Sequence, residues 1–339
     1  MHIAEVRREN ILLDNSEKNT SRDLLGNARP SDGRKLIIIT ARCGRMANRI
    51  QLFAHFMGFA EENGYRVMNP TFYTYANLFE GTCRDVFGRY PAEPRGSALN
   101  SVPGLAGLIR TTRILFHAGR LAQTLNEKLG VFSGSVMTLQ QLPKPKMTWL
   151  QSPEVAAQIR TAKIVLINGW RFRASDCVQK HADKIRCYFQ PVPEIARNVR
   201  QFMEHLRQNA EIIIGVHIRQ GDYRRWREGK YFFPVSRYAE WMRELLVQFP
   251  GRKVSFLVCS DGARSNEEFA GLPVVISRNN PIEDLYSLAK CNYILGPLST
   301  FSQWASFHGN TPLFHLHDSN DRPDPKQFRV SWLEAENSM

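Results

Sequence analysis

The stretch that decides the fold is Ile212-Ile213-Ile214-Gly215-Val216-His217-Ile218-Arg219-Gln220-Gly221-Asp222-Tyr223. Aliphatic residues dominate its first seven positions, which is typical of a strand buried in a parallel sheet. Gly221 lets the backbone turn sharply where the strand ends. Because alternate residues of a strand share a face, His217 and Arg219 are expected on one face, with Arg219 at the rim of the sheet.

Strands and helices alternate after this stretch. Apolar runs typical of strands lie at 254–259, 273–276, 293–295 and 313–316, and helical spacing covers 234–249, 282–289 and 302–307. This alternation predicts right-handed crossovers and an open parallel sheet. Ligands of such sheets bind beyond the carboxyl ends of the strands, so the residues that follow each strand are the candidate site residues.

The same signals recur earlier in the chain. A strand at 36–39 runs through a glycine turn at Gly44 into a helix that starts near Ala47, and a second strand signal lies at 164–167. The sequence therefore predicts an α/β protein in three parts. They are a polar leader, an N-terminal α/β domain and a C-terminal α/β domain, at residues 1–33, 34–205 and 206–339.

Composition excludes several classes of protein. Of the 339 residues, 43% are hydrophobic and 23% charged, which does not fit collagen-like, disordered or coiled-coil chains. No apolar run approaches the roughly 20 residues that cross a bilayer, so a cytoplasmic protein is expected. The six cysteines lack the short paired spacings of a zinc module, which favours reduced thiols.

The formal net charge is +13, and the first 33 residues hold five basic against six acidic residues, so the excess lies in the folded part. Such a charge favours a phosphate-bearing small molecule, an anionic membrane or nucleic acid as partner, and does not choose among them. A helix predicted at 109–129 could contact an anionic membrane peripherally through a basic face. An ordinary solvated face is the favoured alternative. The basic residues of this helix are Arg110, Arg113, His117 and Arg120.

Three strand-end groups could bind an anion. The Arg219 guanidinium can grip a phosphate with two parallel hydrogen bonds, or it can pair with Asp222 to fix the turn. Ser299 and Thr300 fall at a helix start, where free backbone N–H groups attract anions, although an ordinary N-cap has the same pattern. Asp284 could equally be a first-turn carboxylate that stabilises its own helix.

Taken together, three segments resemble the fucosyltransferases of the bacterial α-1,2 type and the wider superfamily with α-1,6- and protein O-fucosyltransferases. The segments are His217 to Tyr223, Asp284 to Ala305, and a glycine-containing turn and helix at Gly44 to Ala54. They occur in the family's order, and the resemblance spans roughly 36–316 with a poorly matched stretch at 75–163.

This resemblance implies a GT-B-like architecture, with two Rossmann-like domains whose parallel sheets face a cleft. It makes 34–205 the acceptor-side domain and 206–339 the nucleotide-sugar-binding domain. It implies an inverting, metal-independent glycosyltransferase that moves fucose from GDP-fucose to a hydroxyl of a glycan acceptor. An α-1,2 linkage in a surface polysaccharide or lipid-linked oligosaccharide is the expected product. The expected partners are therefore a nucleotide sugar and a glycan, with no cofactor and no metal.

The resemblance also implies roles for individual residues. Arg219 would bind the β-phosphate and stabilise the leaving GDP, and His217 would support its loop. Asp284 would accept hydrogen bonds from the guanine edge, and Glu228 lies where some relatives keep a catalytic base. The remaining positions are phosphate-lining Ser299, Thr300 and Ser302, donor-closing Arg45 and Asn48 from the other domain, and the structural residues Gly44, Gly221 and Asp222.

Departures from the family pattern leave the donor sugar and the linkage open. Gln220 stands where many relatives have a second arginine, and Ala47 and Arg49 replace the usual glycine and glutamine. Residues 296–298 also differ from the family's residues before the Ser-Thr pair. An inactive transferase-like scaffold is therefore one alternative.

A nucleic-acid-binding protein is the other alternative, with Trp226, Tyr231 and Phe232 as stacking platforms beside an arginine-rich loop. The sequence shows one arginine at a strand end rather than a continuous basic groove, so nucleic acid is not an expected partner. His315 and His317 share one face of a strand end without an evident third ligand, and no Asp-x-Asp occurs, so no metal site is predicted.

Overall fold

The structure, a computed structural model, describes residues 35–83, 85, 87–92, 117, 121, 124–125, 135–143 and 146–333. The predicted leader lies outside these residues. So does the predicted basic helix, apart from four of its positions, of which His117 and Leu121 are exposed. No helix in the described ranges has the length and apolar character needed to span a membrane.

The chain divides into two compact units, Met1–Val192 and Pro193–Met339. The division falls before the predicted start of the second domain at residue 206. The second unit begins earlier because the helix at Pro193–Arg207 is hydrogen-bonded to the rest of that unit. The Asn198 side chain donates to Glu283 at 2.8 Å, and the Arg207 guanidinium donates to the Lys290 carbonyl at 2.6 Å.

The first unit contains a five-stranded sheet in the order β3-β2-β1-β6-β4, together with a small parallel pair, β5 and β7. The large sheet is parallel except for the edge strand β3. The strands are β1 Leu36–Ile39, β2 Arg66–Met68, β3 Arg89–Tyr90, β4 Val136–Gln140, β5 Thr148–Trp149, β6 Ile164–Asn168 and β7 Phe172–Arg173. The helices are α1 Met46–Asn63, α2 Pro153–Thr161, α3 Ser175–Lys180 and α4 Ala182–Tyr188.

Burial of β1 and α1 holds this unit together. Ile37 and Ile39 alternate with half-buried neighbours, as expected for a strand covered mainly on one face. The helix α1 is buried over most of its length, and its Phe53 contacts the rings of Tyr188 and Phe189 edge to face, at 5.5 and 5.6 Å between centroids. Such aromatic packing supplies a large part of a core's apolar burial.

The second unit is an open, wholly parallel sheet in the order β10-β9-β8-β11-β12. The predicted open parallel sheet is confirmed. Its strands are β8 Ile212–Ile218, β9 Val254–Ser260, β10 Val274–Ile276, β11 Tyr293–Pro297 and β12 Leu313–Leu316. Its helices are α5 Pro193–Arg207, α6 Val235–Leu246, α7 Pro281–Leu288 and α8 Thr300–Gly309.

The strand β8 lies at the centre of this sheet, and all seven of its residues are buried. From β8 the chain adds β9 and β10 on one side, and then returns to add β11 and β12 on the other. The strand order therefore reverses between β8 and β11. In open α/β sheets, ligands bind in the crevice beyond the carboxyl ends of the strands at such a reversal, which is called the switch point.

Candidate functional site

Two loops of the second unit meet at the switch point, one after β8 and one after β11. The Tyr223 hydroxyl of the first loop donates to the Leu298 carbonyl of the second at 2.6 Å. Next to these loops, the ring of His217 on β8 packs against the ring of Phe301 on α8, with 5.0 Å between centroids. The structure thus brings the predicted His217–Tyr223 segment and the start of α8 together.

Arg219 lies at the rim of the sheet, where the strand pattern predicted it. Its Nε donates to Asp222 Oδ1 at 2.9 Å, its Nη2 lies 2.8 Å from the same oxygen, and its Nε is 3.4 Å from Asp261 Oδ2. The Arg219 side chain is 16% exposed, whereas the Asp222 side chain is 54% exposed. The pairing with Asp222 is therefore present, and its carboxylate can rotate into solvent.

Asp261 is a site residue that the sequence analysis did not assign. Its two carboxylate oxygens accept from the backbone N–H groups of Gln220 and Gly221, at 2.8 and 3.1 Å. A Cβ at Gly221 would come within 3.0 Å of Asp261 Oδ2, so glycine gives the carboxylate room to approach. The available signal was its position, since Asp261 directly follows β9 at the same edge of the sheet.

His217 is a neutral packing group below this loop. It is buried, and burial, followed by the charge of Arg219, lowers the pKa of its imidazole to about 3. A neutral ring adds no charge next to the Arg219 guanidinium. The supporting role implied by the resemblance stays a prediction.

The start of α8 combines a helix cap with a packed interior. The Ser299 hydroxyl accepts from the Phe301 N–H at 3.3 Å, so Ser299 is the N-cap that the alternative interpretation described. Thr300 is the first helical residue and is half-buried. Ser302 is fully buried, and its hydroxyl donates to the carbonyls of Ser299 and Pro297. Ser302 therefore packs inside the first turn of α8, and its phosphate-lining role stays a prediction.

Asp284 lies on α7, at the β9–β10 side of the same sheet edge. The Ser277 hydroxyl, directly after β10, donates to Asp284 Oδ1. The N-cap of α7 is Asn280, whose side chain accepts from two backbone N–H groups, so Asp284 is not needed as a cap. Burial raises the pKa of the Asp284 carboxyl to about 6, and the hydrogen bonds from Ser277 and Cys259 oppose that rise.

The glycine turn of the first unit is built as its sequence predicts. Gly44 has a left-handed φ of +61°, and a Cβ there would lie 2.1 Å from Asn48 Nδ2. Arg49 is buried and donates to the Gly44 carbonyl from Nε and Nη2, both at 3.2 Å. Arg49, which replaces the family's usual glutamine, thus stabilises the glycine turn. Arg45 is exposed at the N-cap of α1, and the donor-closing roles of Arg45 and Asn48 remain predictions.

Glu228 is exposed, in a short 3-10 turn at Trp226–Gly229. Its φ is +60°, and its role as a base remains a prediction. The rings of His315 and His317 lie 6.1 Å apart. Within the part of the chain that the structure describes, no cluster of three or more histidine, cysteine or acidic side chains is arranged to hold a metal ion.

Known proteins resemble both the sequence and the fold. Residues 172–332, just under half of the chain, match the family model described as Glycosyl transferase family 11. No curated protein matches the chain. A mutant of Arabidopsis thaliana FUT1 in complex with GDP has a similar structure, with a TM-score of 0.52 and 12% identity over 93% of this chain and 77% of that one. The fucosyltransferase NodZ from Bradyrhizobium has a TM-score of 0.50 and 16% identity over 83% of this chain and 95% of that one.

At 12% and 16% identity, these two structures show similarity of fold alone. The fold that this chain shares with them is a GT-B-like α/β architecture with parallel sheets. The predicted fold class is confirmed. The matched family is one of glycosyl transferases, and the fold agrees with it. The chain is a glycosyltransferase.

Proposed function

We propose that this glycosyltransferase transfers fucose from GDP-fucose to a hydroxyl of a glycan acceptor, with inversion and without a metal ion. The matched family, the GDP bound to the FUT1 mutant and the fucosyltransferase activity named for NodZ support this donor. An α-1,2 linkage, in a surface polysaccharide or a lipid-linked oligosaccharide, is part of the same proposal.

The observation that carries the proposal is the placement of Arg219 beside the start of α8 at the switch point. The bond from Tyr223 to Leu298 holds the two loops together. An arginine fork and the N-terminal end of a helix are both suited to a diphosphate. Asp284 lies on the other side of β8 from the start of α8, beside Ser277 at the end of β10. That separation suits a nucleotide whose base and phosphates bind at opposite ends.

In this proposal the bond between the sugar C1 and the diphosphate oxygen breaks, and GDP leaves with the electron pair. The fixed charge of Arg219 stabilises the negative charge that grows on the leaving group. The acceptor hydroxyl attacks from the opposite face and loses its proton to a base, for which Glu228 is the candidate.

Donor binding requires Asp222 to release Arg219. Asp261 is bonded to two backbone N–H groups and stays in place, whereas Asp222 is the more exposed of the two carboxylates. Exchange of Asp222 for a diphosphate replaces one anion with another beside the same guanidinium. The loop geometry is then preserved when the donor enters.

The test is Arg219→Ala, with Arg219→Lys beside it. We expect Arg219→Ala to lower transfer from GDP-fucose by about 100-fold or more, since loss of one preorganised stabilising group has an effect of that order. Arg219→Lys should recover part of the activity, because it restores charge without the fork. The measurements are turnover of GDP-fucose and the thermal unfolding midpoint.

Arg200→Ala is the matched control, since Arg200 is exposed on α5 in the same unit. It removes the same charge and should leave turnover unchanged. Normal turnover in Arg219→Ala, with the protein folded, would refute the role assigned to Arg219.

A further inference from the structure

The loop that follows Arg219 carries a compact cluster of basic and aromatic side chains, which the proposed function does not use. We call residues 223–232 the basic-aromatic loop. Its basic residues, all exposed, are Arg224, Arg225, Arg227 and Lys230, and its one acidic residue is Glu228. Its positive charge therefore exceeds its negative charge by three.

The aromatic residues of this loop form a stack. Trp226 lies between Tyr223 and Tyr231, with ring centroids 4.8 and 5.3 Å away and interplanar angles near 35°. Tyr223, Tyr231 and Leu298 form a small buried core against which Trp226 packs. Since Leu298 directly precedes Ser299, the stack is fixed to the switch point.

The arginines are held on these rings. The Arg227 guanidinium lies 5.1 Å from the centroid of Trp226, and the Arg224 guanidinium lies 4.9 Å from that of Phe232. Arg219 itself lies 5.7 Å from the Tyr223 ring, so the row of stacked cations starts at the proposed reaction centre. A cation that is already ordered loses less conformational entropy when it binds an anion.

The backbone of the loop is strained at Arg227 and Glu228. Arg227 and Glu228 have φ values of +47° and +60°, in the left-handed region that non-glycine residues rarely adopt. The surrounding ring contacts maintain this conformation. Strain of this kind is typically retained where it positions functional side chains.

From these observations we infer that the basic-aromatic loop binds the acceptor, and that the acceptor is an acidic glycan with carboxylate or phosphate groups along its chain. This inference rests on the proposed function, because it identifies the partner of the same site. Arg219 and the start of α8 already provide for the diphosphate of the donor. The additional cations lie directly beside them, where a second substrate has to approach.

An acidic glycan fits the cluster better than the other anionic partners do. The stacked rings hold the exposed arginines in place, and the guanidinium groups can contact several acidic groups along one glycan chain. The cluster is confined to ten residues next to the switch point, whereas nucleic acid needs a basic groove that follows its backbone.

The test is calorimetry on the full chain with GDP present, using a galacturonic acid hexamer and its neutral methyl ester as probes. We expect the acid to bind at least about tenfold more tightly than the ester, as charge-assisted contacts would require. The double variant Arg224→Gln/Arg227→Gln should remove that preference and leave GDP affinity unchanged. If this variant unfolds, Lys230→Gln replaces it, and we expect a smaller loss of the preference for the acid. Lys230 belongs to the same cluster, because its Nζ lies 5.4 Å from the centroid of Tyr231.

Arg197→Gln/Arg200→Gln is the matched control, because both arginines are exposed on α5 and the charge change is the same. It should keep the preference for the acid. If the control lost the preference for the acid as fully as Arg224→Gln/Arg227→Gln does, the inference would be overturned. That result would show that the net charge of the protein alone attracts the hexamer. Equal affinity for acid and ester would overturn it as well.

Two further probes separate acidic glycans from other anions. Binding of oligouridylate or phosphatidylserine vesicles that is stronger than hexamer binding, and lost in Arg224→Gln/Arg227→Gln, would overturn the inference in favour of that partner. Failure of GDP itself to bind would instead refute the proposed function, so the two failures are distinguishable.

Discussion

The carboxyl of Asp284 lies where the sequence placed it, in an environment that the sequence did not reveal. The sequence placed it in the first turn of a helix, where a carboxylate is usually favourable. The structure shows Asn280 as the cap and Asp284 turned to the Ser277 hydroxyl instead. Its burial raises its pKa from 3.8 to about 6, so ionisation of Asp284 opposes folding.

We predict that Asp284→Asn stabilises the protein above about pH 6, because it removes a buried charge. The pKa is higher in the folded state than in the unfolded state, so the cost is absent below pH 3.8, grows as the pH rises to about 6 and is then constant. The gain in stability from Asp284→Asn has an upper limit of about 3 kcal/mol, at roughly 1.4 kcal/mol per pKa unit. Unfolding midpoints between pH 4 and 8 measure it.

Glu283→Gln is the control, since Glu283 is the adjacent carboxylate and is only half-buried. Its stability difference from the wild type should not grow between pH 4 and 6. If Asp284 contacts guanine, Asp284→Asn also loses GDP affinity, and wild-type affinity falls below about pH 6 as the carboxylate takes up a proton. A variant that is less stable than the wild type at pH 8 would contradict the prediction.

The turn between β1 and α1 shows how an element is defined by contacts that its own sequence does not reveal. Gly44 and the helix after it are evident from the sequence. The clamp that Arg49 applies to the Gly44 carbonyl is not, because arginine at that position differs from the family pattern. The guanidinium also donates to the Thr71 carbonyl and lies over the Tyr75 ring, far along the chain.

We predict that Gly44→Ala destabilises the protein more than Gly64→Ala does. Both glycines have left-handed φ values, +61° and +67°, so both substitutions incur the strain of roughly 1–2 kcal/mol that a Cβ brings to this conformation. Only at Gly44 would the Cβ also collide with Asn48, whereas the space at Gly64 is open. Denaturant unfolding measures the difference.

The same pair of variants tests the predicted donor contact of Asn48. Gly44→Ala displaces the Asn48 side chain and should raise the KM for GDP-fucose, while Gly64→Ala should leave it unchanged. Equal effects of the two substitutions on both stability and KM would show that Asn48 has neither role.

At the scale of the whole molecule, charge is arranged so that cations face the proposed substrates. Residues 34–339 carry the whole excess of positive charge, and Arg219 and the basic-aromatic loop contribute to it at the switch point. Guanidinium groups and helix N–H groups can neutralise a diphosphate without a divalent ion. The sequence contains no Asp-x-Asp motif that would bind such an ion.

We predict that GDP stabilises the full chain to the same extent in magnesium and in EDTA. At a GDP concentration about 100 times Kd, the free energy of unfolding should rise by about 2.7 kcal/mol. CDP is the control, because it has the diphosphate without the guanine edge, and it should stabilise less. Loss of GDP stabilisation in EDTA would contradict the metal-free donor site.

The sequence by itself determined the parallel sheet of the second unit, the position of Arg219 at the end of β8 and the glycine turn at Gly44. These features follow from local periodicity and from residue types that only certain backbone conformations accept. It also located the start of α8, although it did not show that Ser302 is fully buried there.

Only the tertiary structure decided which distant groups hold these features in place. Asp261 bonds to a loop 41 residues earlier in the chain, and Tyr223 reaches a carbonyl 75 residues later. Periodicity reports whether a residue faces the core, but not which side chain it meets there. Asp261 therefore became visible as a site residue only when separate strands met at one edge of the sheet.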